Sequence, residues 1–312
     1  MMTIRAYTAT DEQNVVKLWN VTLKADIINR ENFYNRIIFD ANFDPSLFLL
    51  AEENGKLQGF VYGTKRRVPD ETLGLEPDNA WIVAMGVSPQ HRRGGIGSAL
   101  VKALEQTLKQ GGVSVVTLGA YSANYIFPGV DNAAYGDGVE FFKSLGYEEK
   151  STCASMNLCL QNYEIPAKYM ERQRQLESVG YVFTPFKKEL YLPMADFFRT
   201  HFPSWLQIVR KNVLEGRGEE SIQLAIAPDK QVVGFAMRAM DGTPGRFGPF
   251  GVDPSMQGTG VGGIIFHNMM ADMIARRIFF TWFLWTSGRN LDIYAAWGMK
   301  AFRNYAVMGR QL

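Results

Sequence analysis

One pattern, Gly-Val-x-Pro-x-x-(Arg/Gln)-x-x-Gly-x-Gly, occurs twice in the 312 residues of this chain, 165 positions apart. The first copy is Gly86-Val87-Ser88-Pro89-Gln90-His91-Arg92-Arg93-Gly94-Gly95-Ile96-Gly97, and the second is Gly251-Val252-Asp253-Pro254-Ser255-Met256-Gln257-Gly258-Thr259-Gly260-Val261-Gly262. Each follows an apolar run of strand character and opens a helical periodicity. Glycines let a chain turn tightly and approach a ligand closely. N–H groups at a helix start lack internal partners and carry partial positive charge, so such a turn suits an anion such as phosphate. Recurrence in matching context implies a duplicated fold, and a chain of this length accommodates two domains of ordinary size.

The elements repeat in order. In the first half, residues 3–8 read as a strand and 11–23 and 25–39 as helices. Residues 48–53 and 57–64 form a hairpin about Asn54-Gly55, a favoured two-residue turn. Residues 80–87 are a strand entering the glycine loop, and 95–109 an amphipathic helix with Ile96, Leu100, Leu104 and Leu108 on one side. A strand at 113–120, a short helix at 139–145 stopped by Gly146, and strand over 147–160 follow. The second half reads strand 180–188, helices within 193–215, hairpin 222–227 and 232–240, strand 247–252, helix 261–275, strand 278–285, short helix 291–297 ending at Gly298, and strand 301–308. The offset between copies falls from 175 at Gly59 and Gly234 to 152 at Gly146 and Gly298, which places extra residues of the first copy in loops 68–79 and 122–137. The expected division is a first domain over 1–160, a part-helical connection over 161–179 and a second domain over 180–312.

Other classes are disfavoured. A net charge of +2 gives no field for nucleic acid. Cys153 and Cys159 make no disulfide framework, and His91, His201 and His267 are scattered, so no metal site is expected. The start of the chain lacks the apolar core of a signal peptide, and the most apolar stretch, 278–285, is far short of the roughly 20 residues a membrane helix takes; a soluble, cytoplasmic protein is expected. No Gly-Lys-(Ser/Thr) follows either glycine loop, against a nucleotide P-loop. The loops follow a late strand and not the first βα turn, against a dinucleotide fold.

This element order, with (Arg/Gln)-x-x-Gly-x-Gly after the fourth strand, resembles the GNAT superfamily of acetyl-CoA-dependent acyltransferases. A second mark is an aromatic pair, three residues, then Gly-aromatic: Phe141-Phe142-Lys143-Ser144-Leu145-Gly146-Tyr147 in the first copy, and more loosely Ile293-Tyr294-Ala295-Ala296-Trp297-Gly298-Met299 in the second. The resemblance implies two tandem α/β domains, each a mixed, mostly antiparallel sheet flanked by helices. It implies that acetyl-CoA lays its pyrophosphate on the amides of Arg93, Gly94, Gly95, Ile96, Gly97 and Ser98, and of Gly258, Thr259, Gly260, Val261, Gly262 and Gly263. Arg92 and Gln257 open the two motifs. The pantetheine arm pairs with strand backbone at Met85, Gly86 and Val87, and at Phe250, Gly251 and Val252, as an added strand does. Glycine within a strand often marks a close approach, which fits Gly86 and Gly251.

Acetyl transfer needs a free amine, a stabilised oxyanion and a proton for the leaving thiolate. The family often takes that proton from a tyrosine on the short helix; Tyr294 holds this place in the second copy, whereas the first has Phe142. Many relatives carry a glutamate on the fourth strand as base. Here Trp81-Ile82-Val83-Ala84-Met85 and Phe247-Gly248-Pro249-Phe250 hold no carboxylate. The run Lys65-Arg66-Arg67 reads as a solvated charge run, His91 as surface, and Met269, Met270 and Met273 as core. The aromatic loop 121–131 walls an acceptor cleft or packs on the other domain. The expected function is an acetyl-CoA-dependent N-acetyltransferase for a small amine. The alternative is a CoA-binding or regulatory protein with degenerate active sites. Acceptor and oligomeric state are not legible.

Overall fold

The computed structural model describes residues 2–122 and 126–312. In chain order the elements are β1 (Met2–Ala6), α1 (Glu12–Thr22), α2 (Arg30–Phe33), β2 (Phe48–Glu53), β3 (Lys56–Thr64), β4 (Asn79–Val87), α3 (Ile96–Gln110), β5 (Val115–Leu118), β6 (Val130–Asp131), α4 (Gly136–Ser144) and β7 (Glu148–Cys159). They continue as α5 (Ala167–Ser178), β8 (Val182–Pro185), α6 (Tyr191–His201), α7 (Pro203–Leu214), α8 (Gly218–Ser221), β9 (Ile222–Ile226), β10 (Val232–Arg238), β11 (Phe247–Val252), α9 (Val261–Ala275), β12 (Phe280–Thr286), α10 (Arg289–Ala296) and β13 (Lys300–Gln311). The order β-α-α-β-β-β-α-β-α-β recurs in both halves, with β6 added in the first and α8 in the second. The helix expected over 25–39 is instead the short α2 continued by one π turn, Tyr34–Ile38.

Two compact units form, and neither is one continuous segment. The first is Met1–Ala154 with Leu284–Gly288 and Arg303–Leu312; the second is Ser155–Phe283 with Arg289–Phe302. β7, β12 and β13 each run through the division. The second unit therefore includes the segment read as a connection, 161–179, whose α5 packs on α9.

In the first unit, β1 to β4 are antiparallel neighbours in sequence order, and β5 joins β4 in parallel. The end of β13 then pairs antiparallel with β5, Gly309 against Thr117 and Gln311 against Val115. Nothing local marks this pairing. Its anchors are charged. Arg310 donates to the Glu105 carboxylate at 3.1 Å, which also accepts Tyr147 Oη at 2.8 Å. Arg303 donates to both oxygens of Asp26 at 2.5 and 2.7 Å and to Asp131. In the second unit β11, β10, β9 and β8 form an antiparallel sheet in that order.

The same two residues shape both sheets. Gly59 on β3 and Gly234 on β10 leave room for a helix to close on the strand: a Cβ at Gly59 would meet Ile96 and Leu100 of α3 at 3.0 Å, and one at Gly234 would meet Ile265 of α9 at 2.7 Å. The next residues, Phe60 and Phe235, face the other way and are fully buried under α1 and α6. The alternation of strand side chains thus sets α3 and α9 on one face and α1 and α6 on the opposite face of their own sheets.

Candidate active site

β4 is held by β5 only at residues 79–82, ending with Gly119 N–H to Ile82 C=O at 2.9 Å. Beyond that the strands part. Ser88 N–H bonds Gln58 C=O at 2.7 Å. Peptide groups alternate along a strand, so Gly86 and Ala84 also face β3 while Met85 and Val87 turn theirs into the gap. Val87 C=O there accepts Arg92 Nε at 3.3 Å. The second unit repeats the opening: Arg246, just before β11, makes an isolated parallel bridge with Trp282 of β12, and Asp253 N–H bonds Val233 C=O at 2.9 Å, which leaves the peptide groups of Phe250 and Val252 facing the gap.

Each glycine loop ends in a left-handed residue at the helix N-cap, Gly95 with φ +83° and Gly260 with φ +96°. The first intrahelical bonds are Ala99 N–H to Gly95 C=O and Ile264 N–H to Gly260 C=O. The N–H groups of Ile96, Gly97 and Ser98, and of Val261, Gly262 and Gly263, precede them and have no partner within their helix. Above the first loop there is open space: a Cβ at Gly95 would meet nothing within 4 Å, and one at Gly94 only His91 C=O at 3.5 Å. These free amides, the adjoining Arg92 and Arg93 and the unpaired edge of β4 fit a molecule that ends in phosphates and carries an amide-bearing arm.

Four glycines have packing reasons that the motif alone does not reveal. A Cβ at Gly86 would overlap the Thr22 hydroxyl, and one at Gly251 would lie 2.6 Å from the Phe202 ring. The close approach at these positions is therefore by α1 and by the α6–α7 corner, across the sheet face, and is not evidence for an arm running along the edge. Gly97 sits 3.2 Å, by the same measure, from the Phe141 ring, and Gly262 lies 3.4 Å from Phe250 and 3.7 Å from Trp297. They join the helix start to the strand and the short helix.

The second loop is not bare. Along α9, Gly263, His267 and Met270 are covered together with the sheet-facing Ile265, Met269 and Met273. The helix carries apolar residues on its outer side as well as on its sheet-facing side, and α5 lies over that outer side. Arg172 Nε donates to Thr259 C=O at 2.7 Å, and its Cγ occupies the space beside Gly260. Tyr169 fills the space at Gly263 and lies 4.2 Å, ring to ring, from His267. Burial, aided by Lys168, pushes the His267 pKa down to about 4, and its Nδ1 meets the Tyr163 hydroxyl. The absence of charge on the outer stripe of α9 was the available signal for this cover.

Tyr294 on α10 lies among Phe283 (4.7 Å between centroids), Trp297 (5.7 Å), Phe250 (6.1 Å) and Phe266 (6.2 Å). Phe250 in turn touches the Gly262 position, so loop, strand and short helix of the second copy converge. Burial raises the phenol's pKa far above its ordinary range, and the hydroxyl makes no hydrogen bond among the described residues. At the matching place in the first unit Phe142 is buried between Phe141 and Tyr147. Neither β4 nor β11 carries a carboxylate. His201 and Asp253, 3.5 Å apart, stand at the loop end of β11.

Arg66 corrects the charge-run reading. It is 7% exposed, bonds Glu76 at 2.6 Å and Ser122 at 2.9 Å, and lies 5.5 Å over Trp81. Of the aromatic loop, Tyr121 bonds Asn42 at 2.7 Å and Phe127 stacks on Trp19, so both pack within the first unit; Tyr125 lies outside the described residues. Among the described residues no cluster of His, Cys, Asp or Glu could hold a metal, and no helix is long and apolar enough to cross a membrane.

The acetyltransferase (GNAT) family model matches residues 14–126, which contain β4 and the first loop. An acetyltransferase of Pectobacterium atrosepticum is 32% identical over 108 residues, 34% of this chain and 67% of that relative. The chain belongs to the GNAT acetyltransferase family. An acetyltransferase of Yersinia pestis is 28% identical over 152 residues, 48% of this chain and 91% of its own length. A solved GNAT structure from Sphaerobacter thermophilus superposes on 99% of the chain with a TM-score of 0.74 at 16% identity, covering 95% of that protein. A tandem GNAT protein from the clavulanic acid biosynthesis pathway covers the whole chain with a TM-score of 0.65 at 13% identity and 98% of its own length. A GCN5-related glucosamine N-acetyltransferase region of a fungal multi-domain β-N-acetylglucosaminidase gives 0.82 at 19% identity, and this chain spans 38% of that longer protein. The protein is thus an acyltransferase built of two tandem GNAT-like domains.

Proposed function

We propose that this acyltransferase moves the acetyl group of acetyl-CoA to a small amine, with Tyr294 of the second copy as proton donor. Functionally the copies follow chain order, 1–160 and 180–312, with 161–179 attached to the second through α5. Acetyl-CoA supplies an activated acyl group on a thiol leaving group. The amides of residues 93–98 and 258–263 are suited to its phosphates, and the outward peptide groups of Met85, Val87, Phe250 and Val252 to its arm. One observation carries the assignment to the second copy: Gly262, Phe250 and Tyr294 meet in one aromatic corner, while the first copy has Phe142 there.

The raised pKa keeps the Tyr294 hydroxyl protonated at neutral pH. A free thiol ionises near 8.5 in water, so a phenol whose pKa is raised gives up its proton only to a thiolate that is itself poorly solvated. The apolar rings of the same corner would raise the proton affinity of the departing sulfur. No strand residue supplies a base, so the amine is taken up in its free form. The first copy binds the donor without catalysis. Release of free thiol by the full-length protein across a panel of amines tests the reading. Acetyl-CoA-dependent thiol release with at least one small amine supports it, and release with none overturns it.

A further inference from the structure

Resting on the reading that the second loop holds CoA, the structure assigns Arg172 of α5 as the cation that contacts the phosphates there.

The two loops differ in where positive charge comes from. The first carries Arg92 and Arg93 in the motif itself. Arg93 sits at φ +64°, a left-handed conformation disfavoured for a residue with a side chain, and the corresponding residue of the second loop is Gly258 at φ +80°. The first copy thus retains a cation despite the strain, whereas the second, with Gln257 and Gly258, has no cation of its own. Arg172 lies where one is missing. Its Nε bonds Thr259 C=O at 2.7 Å and its Nη1 bonds Gln175 at 3.2 Å, which fixes the guanidinium on the rim of the loop.

The start of the second loop's helix is suited to an anion. The N-terminus of α9 carries partial positive charge and three free amides. α5 sets Arg172, in its second turn, beside Gly260, and the exposed Lys168 lies 4.9 Å from the Tyr169 ring that covers Gly263. Neither cation forms an ion pair with a carboxylate among the described residues. A phosphate on the amides of Val261, Gly262 and Gly263 would give the Arg172 guanidinium an anionic partner, and a planar guanidinium suits its oxygens. α5 belongs to the segment between the copies, so the element that joins them also completes the second nucleotide site.

The test uses the full chain with the first loop closed by Gly94→Glu, a position where a Cβ meets only His91 C=O at 3.5 Å. Calorimetry with CoA, dephospho-CoA and acetyl-S-pantetheine is run with and without Arg172→Gln. We expect CoA to bind about 10-fold more weakly in the Arg172→Gln protein, acetyl-S-pantetheine to bind unchanged, and Arg172→Lys to restore part of the loss. A similar loss for dephospho-CoA identifies the pyrophosphate as the group contacted, and no loss identifies the 3′-phosphate. Equal CoA affinity with and without Arg172, or an equal loss for CoA and acetyl-S-pantetheine, overturns the assignment, the latter showing a merely structural role. If the Gly94→Glu protein binds no CoA that Thr259→Glu abolishes, the second loop is not a CoA site and the underlying reading falls with it.

Discussion

Replacing Arg303 by methionine should destabilise the first unit by about 3 kcal/mol at neutral pH. Arg303 is the last strand's ion-pair anchor to Asp26 and Asp131, and the side chains are 19%, 19% and 3% exposed. Removing one partner of a buried ion pair typically costs about 3–5 kcal/mol because the other charge is stranded. The lower end applies here. Asp131 keeps the N–H groups of Ala133 and Ala134 at 2.8 and 2.9 Å, and Asp26 keeps the Tyr135 hydroxyl at 2.7 Å. For a unit of this size each kcal/mol shifts Tm by about 2–4 °C, so the transition that reports the first unit should fall by about 6–12 °C. The pH dependence adds a second readout. Burial works against ionising Asp131, but the Ala134 and Ala133 N–H groups and Arg303 outweigh it and hold its pKa below the ordinary value. A depressed carboxylate contributes above its unfolded pKa and loses that contribution as pH falls through the folded one. The gap between wild type and variant should therefore be full at pH 6–7 and shrink below about pH 4. Differential scanning calorimetry across this range is the assay. A variant that unfolds within 2 °C of wild type at pH 7 would refute the reasoning, as would a gap that does not change with pH.

Three further outcomes follow from the geometry. Gly251→Ala places a methyl 2.6 Å from the Phe202 ring and should cost about 1–3 kcal/mol, with Phe202→Leu restoring most of it; chemical denaturation of both variants checks this, and an unaffected single variant contradicts it. The second unit should lose about 3 kcal/mol as pH falls from 6.5 to 4, since His267 must be neutral when folded and is protonated when unfolded; His267→Leu should remove that slope, and an unchanged slope in denaturation curves would assign it elsewhere. With no base on β11, kcat/KM should rise with pH along the ionisation of the amine used, so amines of different pKa should give shifted profiles; one common profile would instead reveal an enzyme base.

The repeat was readable because its signals are local. The left-handed N-caps at Gly95 and Gly260 and the Gly59-Phe60 and Gly234-Phe235 pairs are written as glycines at fixed places, and they build the same helix-on-strand closure twice. The last strand's partner was not readable. The groups that seat it, Arg303 with Asp26 and Arg310 with Glu105, lie 277 and 205 residues apart in sequence, so no window or periodicity joins them. Arg66 was misread because a run of three cations looks solvated until Glu76 and Trp81 are brought beside it. Gly86 and Gly251 show the opposite limit. Their need for a missing Cβ was legible, but what fills the space, Thr22 and Phe202, comes from a helix end that sequence spacing does not locate.

The most direct measurement of the central claim is the turnover of Tyr294→Phe, followed as thiol release with the amine that reacts best. This change keeps the ring among Phe250, Phe283 and Trp297 and removes only the hydroxyl. A positioned acid contributes about 10²–10⁴-fold, so kcat should fall by about that range while CoA affinity at the second loop stays within twofold of wild type, about the precision of a binding measurement. Normal turnover in Tyr294→Phe, with activity abolished by Gly94→Glu in the first loop, would contradict the account and place the chemistry in the first copy.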